Sequence, residues 1–234
     1  MLRMAVTRMP DATAADDGAA PAWMGESERR RWSGLSPTAR RGFAASRALL
    51  RELLHGATGV PLASWDISAQ AGTAPTVRTS RDGVGAIHAS LSHRLDWVAA
   101  AVSQAPLGVD IECARPARTD PRERAALMLS AVELSAWEAL PPPAREAALL
   151  TRWTAKEAWF KATAAQDSAW DFRQVVARAC EPEHANVRAW AAAPLHVALC
   201  CSDAAELACV ECAGLAVASA PSTFWHVARI AHAD

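Results

Sequence analysis

The chain contains 234 residues, of which 51% are apolar and 21% are charged, and its formal net charge is −1. This length accommodates one substantial domain or two small ones, and the composition is globular rather than disordered or fibrous. The nearly neutral balance gives no support to nucleic-acid binding, so any anion bound by the chain requires a local basic cluster.

The N-terminal segment predicts a short strand followed by a connection. Residues 2–8 alternate well enough for a strand, and residues 11–22 are rich in Asp, Ala and Gly. The first ten residues lack the apolar region of a signal peptide, and charged residues interrupt every apolar run well before the ~20 residues of a membrane span. We therefore expect a cytoplasmic protein without membrane association.

A strong helix is predicted next. Ser36 and Pro37 form a helix-start signal, Gly56 is a stop signal, and Phe43 and Leu50 belong to one apolar stripe. Residues 57–90 contain many Gly, Pro, Thr and Ser residues, which predicts loops with at most short strands.

The clearest strand signal lies in the middle of the chain. Residues 95–103 and 107–112 are apolar runs joined by Gln-Ala-Pro, which predicts a hairpin. Helices are predicted at 121–140 and 144–165, with Ser130 and Glu133 at capping-box spacing, and short strands at 170–178, 186–192, 195–201 and 206–213. This order predicts an α+β fold with two similar halves split near residue 105, each a small sheet packed with helices.

Six cysteines are expected to be free thiols in a cytoplasmic protein: Cys113, Cys180, Cys200, Cys201, Cys209 and Cys212. The spacing of Cys209 and Cys212 is also that of a zinc or redox pair. However, the surrounding segment has the composition of a strand, and no second CxxC accompanies it. Ordinary buried thiols are therefore favoured over a metal role.

Two carboxylates share one face of the strand predicted at 107–112. Residues two apart in a strand point the same way, so Asp110 and Glu112 project together while Val109 and Ile111 point into the core. Paired carboxylates suit Mg²⁺, although a solvated strand end is the favoured explanation when they are considered alone.

The helical segment 153–161, with sequence WTAKEAWFK, carries a second group of charged residues. Trp153, Glu157 and Lys161 are four residues apart and share a face, and Lys156 lies on the neighbouring face. A surface Glu–Lys pair is the simple alternative, but the aromatic residues leave little of the helix free for solvent. Lysines on both sides of an acid suit a phosphate bridged to a carboxylate-bound metal.

Together these two motifs resemble the paired signature of the 4'-phosphopantetheinyl transferase superfamily. Leu-Gly-Val-Asp-Ile-Glu at 107–112 precedes Trp-Thr-Ala-Lys-Glu-Ala-Trp-Phe-Lys by about 40 residues. Ser90-Leu-Ser92-His93 is similar to the family's serine-histidine motif. The likeness extends over roughly 30–200 and is greatest to the longer, surfactin-synthetase-type members.

The resemblance implies a Mg²⁺-dependent enzyme that transfers 4'-phosphopantetheine from coenzyme A to a serine of an apo acyl or peptidyl carrier protein. Such carriers serve fatty-acid, polyketide or nonribosomal-peptide synthesis. The other product is adenosine 3',5'-bisphosphate. It also implies a monomer, with coenzyme A bound between an N-terminal half (1–105) and a C-terminal half (106–234).

By position in the motifs, Asp110, Glu112 and Glu157 would hold Mg²⁺, and Glu157 and Lys161 would be catalytic. Arg47, Ser92, His93, Lys156 and Lys161 would bind coenzyme A, with Arg47 and His93 at its 3'-phosphate. In the predicted hairpin, His93 would lie ~13 Å from Glu112 along the strands.

One departure from the family pattern concerns a basic residue. Relatives often carry Gly-Lys-Pro before the serine-histidine motif, whereas residues 72–75 read Gly-Thr-Ala-Pro. Arg78 or Arg81 is a possible replacement, and one of Arg29, Arg30 and Arg31 is a further candidate phosphate contact.

Two rival functions use some of the same residues. A metal-dependent phosphohydrolase normally has more ligands, often histidines, than His88 and His93 supply. A non-catalytic coenzyme A module would not require three carboxylates and Lys161.

Overall fold

The computed structural model describes residues 1–10, 18–114, 120–163, 171–210, 212–213 and 219–230. Its strands are β1 (Leu2–Arg8), β2 (Trp65–Ile67), β3 (Val77–Thr79), β4 (His88–Arg94), β5 (Trp97–Ser103), β6 (Leu107–Cys113), β7 (Val175–Ala179), β8 (Val187–Ala192), β9 (Leu195–Cys201), β10 (Cys212–Ala213) and β11 (Ser222–Arg229). Its α-helices are α1 (Glu26–Ser33), α2 (Pro37–Thr58), α3 (Pro121–Met128), α4 (Ala131–Glu138), α5 (Pro142–Thr163) and α6 (Ala204–Cys209).

The first sheet has the strand order β10-β1-β5-β4 and packs against α2. Strand β5 lies inside this sheet, and its residues from Val98 to Val102 are fully buried on both faces. The helix begins at Ser36, whose side chain accepts a hydrogen bond from the Ala39 amide, and its buried stripe includes Leu50 and Leu54. The predicted helix is confirmed, but it ends two residues beyond Gly56.

The second sheet has the order β6-β9-β8-β11-β7 and packs against α5. Strand β9 is buried along its whole length. Side chains of the two sheets meet in one apolar cluster, to which Met4 and Ala99 contribute from the first sheet and Ile111 and Val197 from the second. The α+β class is therefore confirmed.

The predicted hairpin is wrong. β5 pairs with β1 and β4, whereas β6 pairs with β9, so the connection at 104–106 carries the chain from one sheet to the other. The His93–Glu112 distance inferred from that hairpin therefore has no basis. Because β5 is buried on both faces, its sequence has no alternation of polar and apolar residues that would indicate which strand it pairs with.

Other predicted boundaries also change. Residues 121–140 form two helices rather than one, and the capping box of Ser130 and Glu133 begins the second. The strand predicted at 206–213 is wrong, because α6 occupies its first part and β10 contains only two residues. Helix α1 and strand β11 were not predicted.

Strand β10 pairs in parallel with β1, so a C-terminal segment completes the N-terminal sheet. The division at residue 105 stays a prediction. In the part of the chain that the structure describes, no helix is both long and apolar enough to span a membrane.

Candidate active site

Strand β6 places its residues alternately on two faces. Val109 and Ile111 point into the apolar cluster between the sheets, as predicted. On the other face, a Cβ added to Gly108 would lie 2.0 Å from the carbonyl oxygen of Ala158 and 2.7 Å from the amide nitrogen of Ala162. The backbone of α5 therefore lies directly on Gly108, beside Asp110.

The face of α5 that carries Trp153, Glu157 and Lys161 turns toward β6. The Nζ atom of Lys161 donates to Oδ1 of Asp110 at 2.8 Å and to the carbonyl oxygen of Val109 at 3.1 Å. Trp153 interacts with Glu112, and Glu157 is electrostatically coupled to Asp110. The predicted shared helical face is confirmed.

Strand β4 reaches β6 through every second side chain rather than through backbone hydrogen bonds. The Ser90 hydroxyl accepts from the amide of Val109 at 3.0 Å. The Ser92 hydroxyl donates to Oδ1 of Asp110 at 2.9 Å. Nε of Arg94 lies 2.8 Å from Oε2 of Glu112. We call these three side chains the β4 ladder. It joins the two sheets beside the carboxylates of β6.

Asp110, Glu112 and Glu157 form what we call the acidic cluster. Burial is the main cause that raises the pKa of Glu157 to about 7, with the charges of Asp110 and Glu112 adding to it and Lys161 opposing it. Burial also raises the pKa of Glu112, against the lowering effect of Arg94. The charges of Asp110 and Glu112 thus disfavour the charged form of Glu157, and a divalent cation would relieve this repulsion.

The donor chemistry of the acidic cluster fits Mg²⁺, which prefers carboxylate oxygens. Across the described ranges, however, no three Asp, Glu, His or Cys side chains are grouped closely enough to hold a metal ion. Asp110 is paired with Lys161, and Glu112 is paired with Arg94. Positively charged side chains of the protein therefore lie beside two of the three carboxylates.

A cavity of about 580 Å³ opens beside this cluster. Glu157 and Lys161 lie at its wall, together with Arg31, Arg47 and His93. The remaining lining comes from Leu35, Ala39, Gly42, Phe43, Ser46, Gly72, Thr73, Ala74, Pro75, Ser90, Leu91 and Phe160. The cavity thus contains both basic side chains suited to an anion and the acid–lysine pair of α5.

Arg47 is 7% exposed, and its buried Nε donor has no hydrogen-bond partner. Its Nη1 donates to the carbonyl oxygen of Ser68 at 2.8 Å, and its guanidinium lies 5.1 Å from the Phe43 ring centroid. Burial lowers the pKa of Arg47 to about 10, Glu28 opposes this and Arg51 adds to it. The side chain therefore remains charged at neutral pH, and an anion would compensate its burial.

The other arginines of α1 and α2 have separate roles. Arg51 is almost completely buried and forms an ion pair of 2.5 Å with Glu28, so it is not a solvated residue of the helix. Arg30 pairs with Glu26. Within the run 29–31, Arg31 is the residue that lines the cavity.

The segment 72–75, where relatives often have a lysine, lines the cavity through Thr73 and its neighbours. Arg78 lies opposite Asp66 in the β2–β3 pair. Neither Arg78 nor Arg81 is among the described residues that line the cavity. The structure therefore does not bring either arginine to the place of the missing lysine.

Lys156 is fully buried away from the acidic cluster. Its Nζ donates to Oε2 of Glu133 at 2.6 Å and to the carbonyl oxygens of Met128 and Phe172 at 2.9 and 3.1 Å. Glu133 also accepts from the Ala177 amide at 2.9 Å. This pair connects α5 to α4 and β7, a role that the capping box alone did not reveal.

A second cavity of about 810 Å³ shares Lys161 and the segment 72–75 with the first. Its other lining residues include Leu107, Trp159 and Ala162, so most of this wall is apolar. Lys161 therefore lies where two open spaces of different chemistry meet.

Residues 106–204 match the family model of the 4'-phosphopantetheinyl transferase superfamily. Over 115 residues the chain is 32% identical to the 4'-phosphopantetheinyl transferase psf-1 of Bacillus pumilus. This alignment covers 49% of the chain and 46% of that protein, so the chain spans about half the length of the curated relative it matches. The resemblance predicted from the two motifs is confirmed, and the matched segment contains β6 and α5.

Proposed function

We propose that this chain is a surfactin-synthetase-type 4'-phosphopantetheinyl transferase, which transfers phosphopantetheine from coenzyme A to a serine of an apo carrier protein. The observation that carries the proposal is that Glu157 and Lys161 lie at the wall of a cavity that also contains Arg47 and His93, with Asp110 hydrogen-bonded to Lys161 behind that wall. Similarity to the superfamily over residues 106–204 supports the same activity.

Coenzyme A would bind with its 3'-phosphate toward the basic side chains of the cavity. Arg47 has a buried, unused donor, and Arg31 and His93 line the same space. Lys161 also lines the cavity, beside the acidic cluster, and would contact the pyrophosphate. Ser92 contributes indirectly, because its hydroxyl holds Asp110.

The reaction requires a base and compensation of phosphate charge. The serine oxygen of the carrier would form a bond to phosphorus, the bridging P–O bond would break, and adenosine 3',5'-bisphosphate would leave. Glu157, with a pKa of about 7, is suited to accept the serine proton near neutral pH. Lys161 would stabilise charge on the phosphate oxygens.

A divalent ion would be held at the acidic cluster, through Asp110 and Glu157 in the first place. When bound, Mg²⁺ would neutralise charge that develops on the pyrophosphate oxygens. The motif also assigns Glu112 to the ion. In the structure, however, the Glu112 carboxylate is already paired with the positive charge of Arg94.

The protein would act as a monomer with its active site between two similar halves, residues 1–105 and 106–234. Support for this arrangement comes from the cavity wall, to which α2 and β4 contribute on one side and α5 on the other. Each sheet packs against one 22-residue helix. A chain that supplies both walls has no need of a neighbouring copy.

Intact-mass analysis of apo carrier proteins tests the activity. The full chain, coenzyme A and Mg²⁺ should add one phosphopantetheine group to the carrier serine, and a serine-to-alanine carrier should remain unmodified. Chelation of divalent ions should stop the transfer. Failure of every fatty-acid, polyketide and nonribosomal-peptide carrier tested would contradict the proposal.

A further inference from the structure

Arg94 places a fixed positive charge next to one carboxylate of the acidic cluster. It is the last residue of β4, and its Nε lies 2.8 Å from Oε2 of Glu112 on β6, an ion pair in which Nε has no hydrogen-bond partner. Both side chains are partly buried, with 34% and 18% of their surfaces exposed. An ion pair with this exposure is screened less than one on the open surface.

The β4 ladder fixes where Arg94 lies. Ser90, Ser92 and Arg94 are two residues apart, so their side chains leave the strand on the same side. The two serines contact β6 at Val109 and Asp110. Arg94 follows them in the same line and meets the next outward carboxylate, Glu112. The pairing is thus built into the strand geometry.

Glu112 differs from the other two carboxylates in its partners. The Arg94 guanidinium and the Trp153 side chain both contact the Glu112 carboxylate without any metal. Glu157, in contrast, forms no ion pair with another described residue and lies at the cavity wall. Asp110 shares one oxygen, Oδ1, between Ser92 and Lys161.

We propose that Arg94 holds Glu112 out of the divalent-ion site, so that Asp110 and Glu157 supply the protein oxygens and Arg94 lowers the affinity for the ion. The inference rests on the proposed function for the presence of that site. Glu112 would be a positioning residue that ties β6 to β4. The absence of three closely grouped carboxylate, imidazole or thiol ligands in the described part of the chain agrees with this arrangement.

Removing the charge of Arg94 should therefore strengthen ion binding. In Arg94→Gln, Glu112 gains an uncompensated negative charge, and the affinity for Mn²⁺ should rise about tenfold. In Arg94→Gln combined with Glu112→Gln, a neutral pair replaces a neutral pair. If Glu112 is not a ligand, the affinity of this double variant should return to within about threefold of the unaltered chain.

The measurement is Mn²⁺ binding to the full chain without coenzyme A, read from the paramagnetic resonance signal of the free ion. Asp110→Asn provides the comparison for loss of a true ligand, and circular dichroism establishes that each variant is folded. An affinity of the double variant as low as that of Asp110→Asn would overturn the inference, because it would make Glu112 a ligand. So would an unchanged affinity in Arg94→Gln, or no Mn²⁺ binding by the unaltered chain.

The test is independent of the transfer assay. A chain that binds Mn²⁺ as described, but modifies no carrier protein, would contradict the proposed function and leave the role of Arg94 intact. If the chain modifies carrier proteins but the double variant no longer binds Mn²⁺, the proposed function would stand and the inferred role of Arg94 would be wrong.

Discussion

Lys161 and Ser92 donate to the same oxygen of Asp110, at 2.8 Å and 2.9 Å. One donor comes from α5 and the other from β4, so Asp110 is held between the two sides of the cavity. Asp110 is 6% exposed, and the orientation of its carboxylate is set before any ligand arrives. Such preorganisation is what transfer of a charged group requires.

Asp110→Asn should lower turnover at least about a hundredfold, because it removes the charge while an oxygen remains to accept from Ser92. The measurement is steady-state transfer to a carrier protein, with a thermal melt of the variant. Glu52→Gln, which changes an exposed acid of α2, is the control and should be fully active. Full activity of the Asn variant would remove Asp110 from the mechanism.

Gly108→Ala should destabilise the fold by about 3 kcal/mol or more. Its Cβ would meet backbone atoms of α5, which have no alternative conformation into which to move without shifting the helix. Urea unfolding measures the change. Gly85→Ala is the matched control, because its nearest contact would be the end of the Gln104 side chain at 3.8 Å. Equal stability of the two variants would contradict the close approach of α5.

Lys156→Met should lower the free energy of unfolding by about 3–5 kcal/mol, because Glu133 would be left buried without its partner. The KM for coenzyme A of the folded variant should stay near that of the unaltered chain. Chemical denaturation and steady-state kinetics separate the two effects. Unchanged stability with a raised KM would make Lys156 a phosphate contact instead.

Glu157 should make stability depend on pH. Between about pH 4.5 and 7 the folded chain keeps a proton that the unfolded chain releases, so the free energy of unfolding falls as the pH rises. A pKa raised from 4.5 to about 7 corresponds to about 3 kcal/mol. Glu157→Gln lacks this loss, so its stability relative to the unaltered chain should increase across that window without divalent ions. Parallel pH profiles of the two proteins would contradict the raised pKa.

His93 and Arg47 should recognise the 3'-phosphate of coenzyme A. The unaltered chain should therefore have a KM for 3'-dephospho-coenzyme A at least about tenfold higher than for coenzyme A. His93→Ala should reduce this preference, and His184→Ala, an exposed histidine outside the cavity lining, should leave it unchanged. Equal use of both substrates by the unaltered chain would exclude the assignment.

The parts of the site that could be predicted depend on local periodicity. The direction of Asp110 and Glu112 follows from alternation in one strand, and the shared face of Glu157 and Lys161 follows from helical spacing. The partners Arg94 and Glu133 could not be found in this way. Each lies in a different element from the residue it contacts, and only the packing of the sheets brings the pairs together.

Three errors had local signals that the prediction overlooked. Asp203 caps α6 by accepting from the Glu206 amide, a spacing that indicates a helix start just before the segment 206–213 that was predicted as a strand. In β11, Trp225 and Val227 are buried on alternate positions. The hairpin error had a further warning, because Gln-Ala-Pro contains no Gly or Asn suited to a tight turn.

The pairing of β10 with β1 has a consequence for how the protein is made. During synthesis the N-terminal sheet emerges first, but one edge of β1 remains open until residues 212–213 have left the ribosome. An open strand edge is a site for pairing with other chains. The N-terminal sheet therefore stays incomplete until β10 has been synthesised, and chains truncated before β10 should aggregate more readily than the full chain.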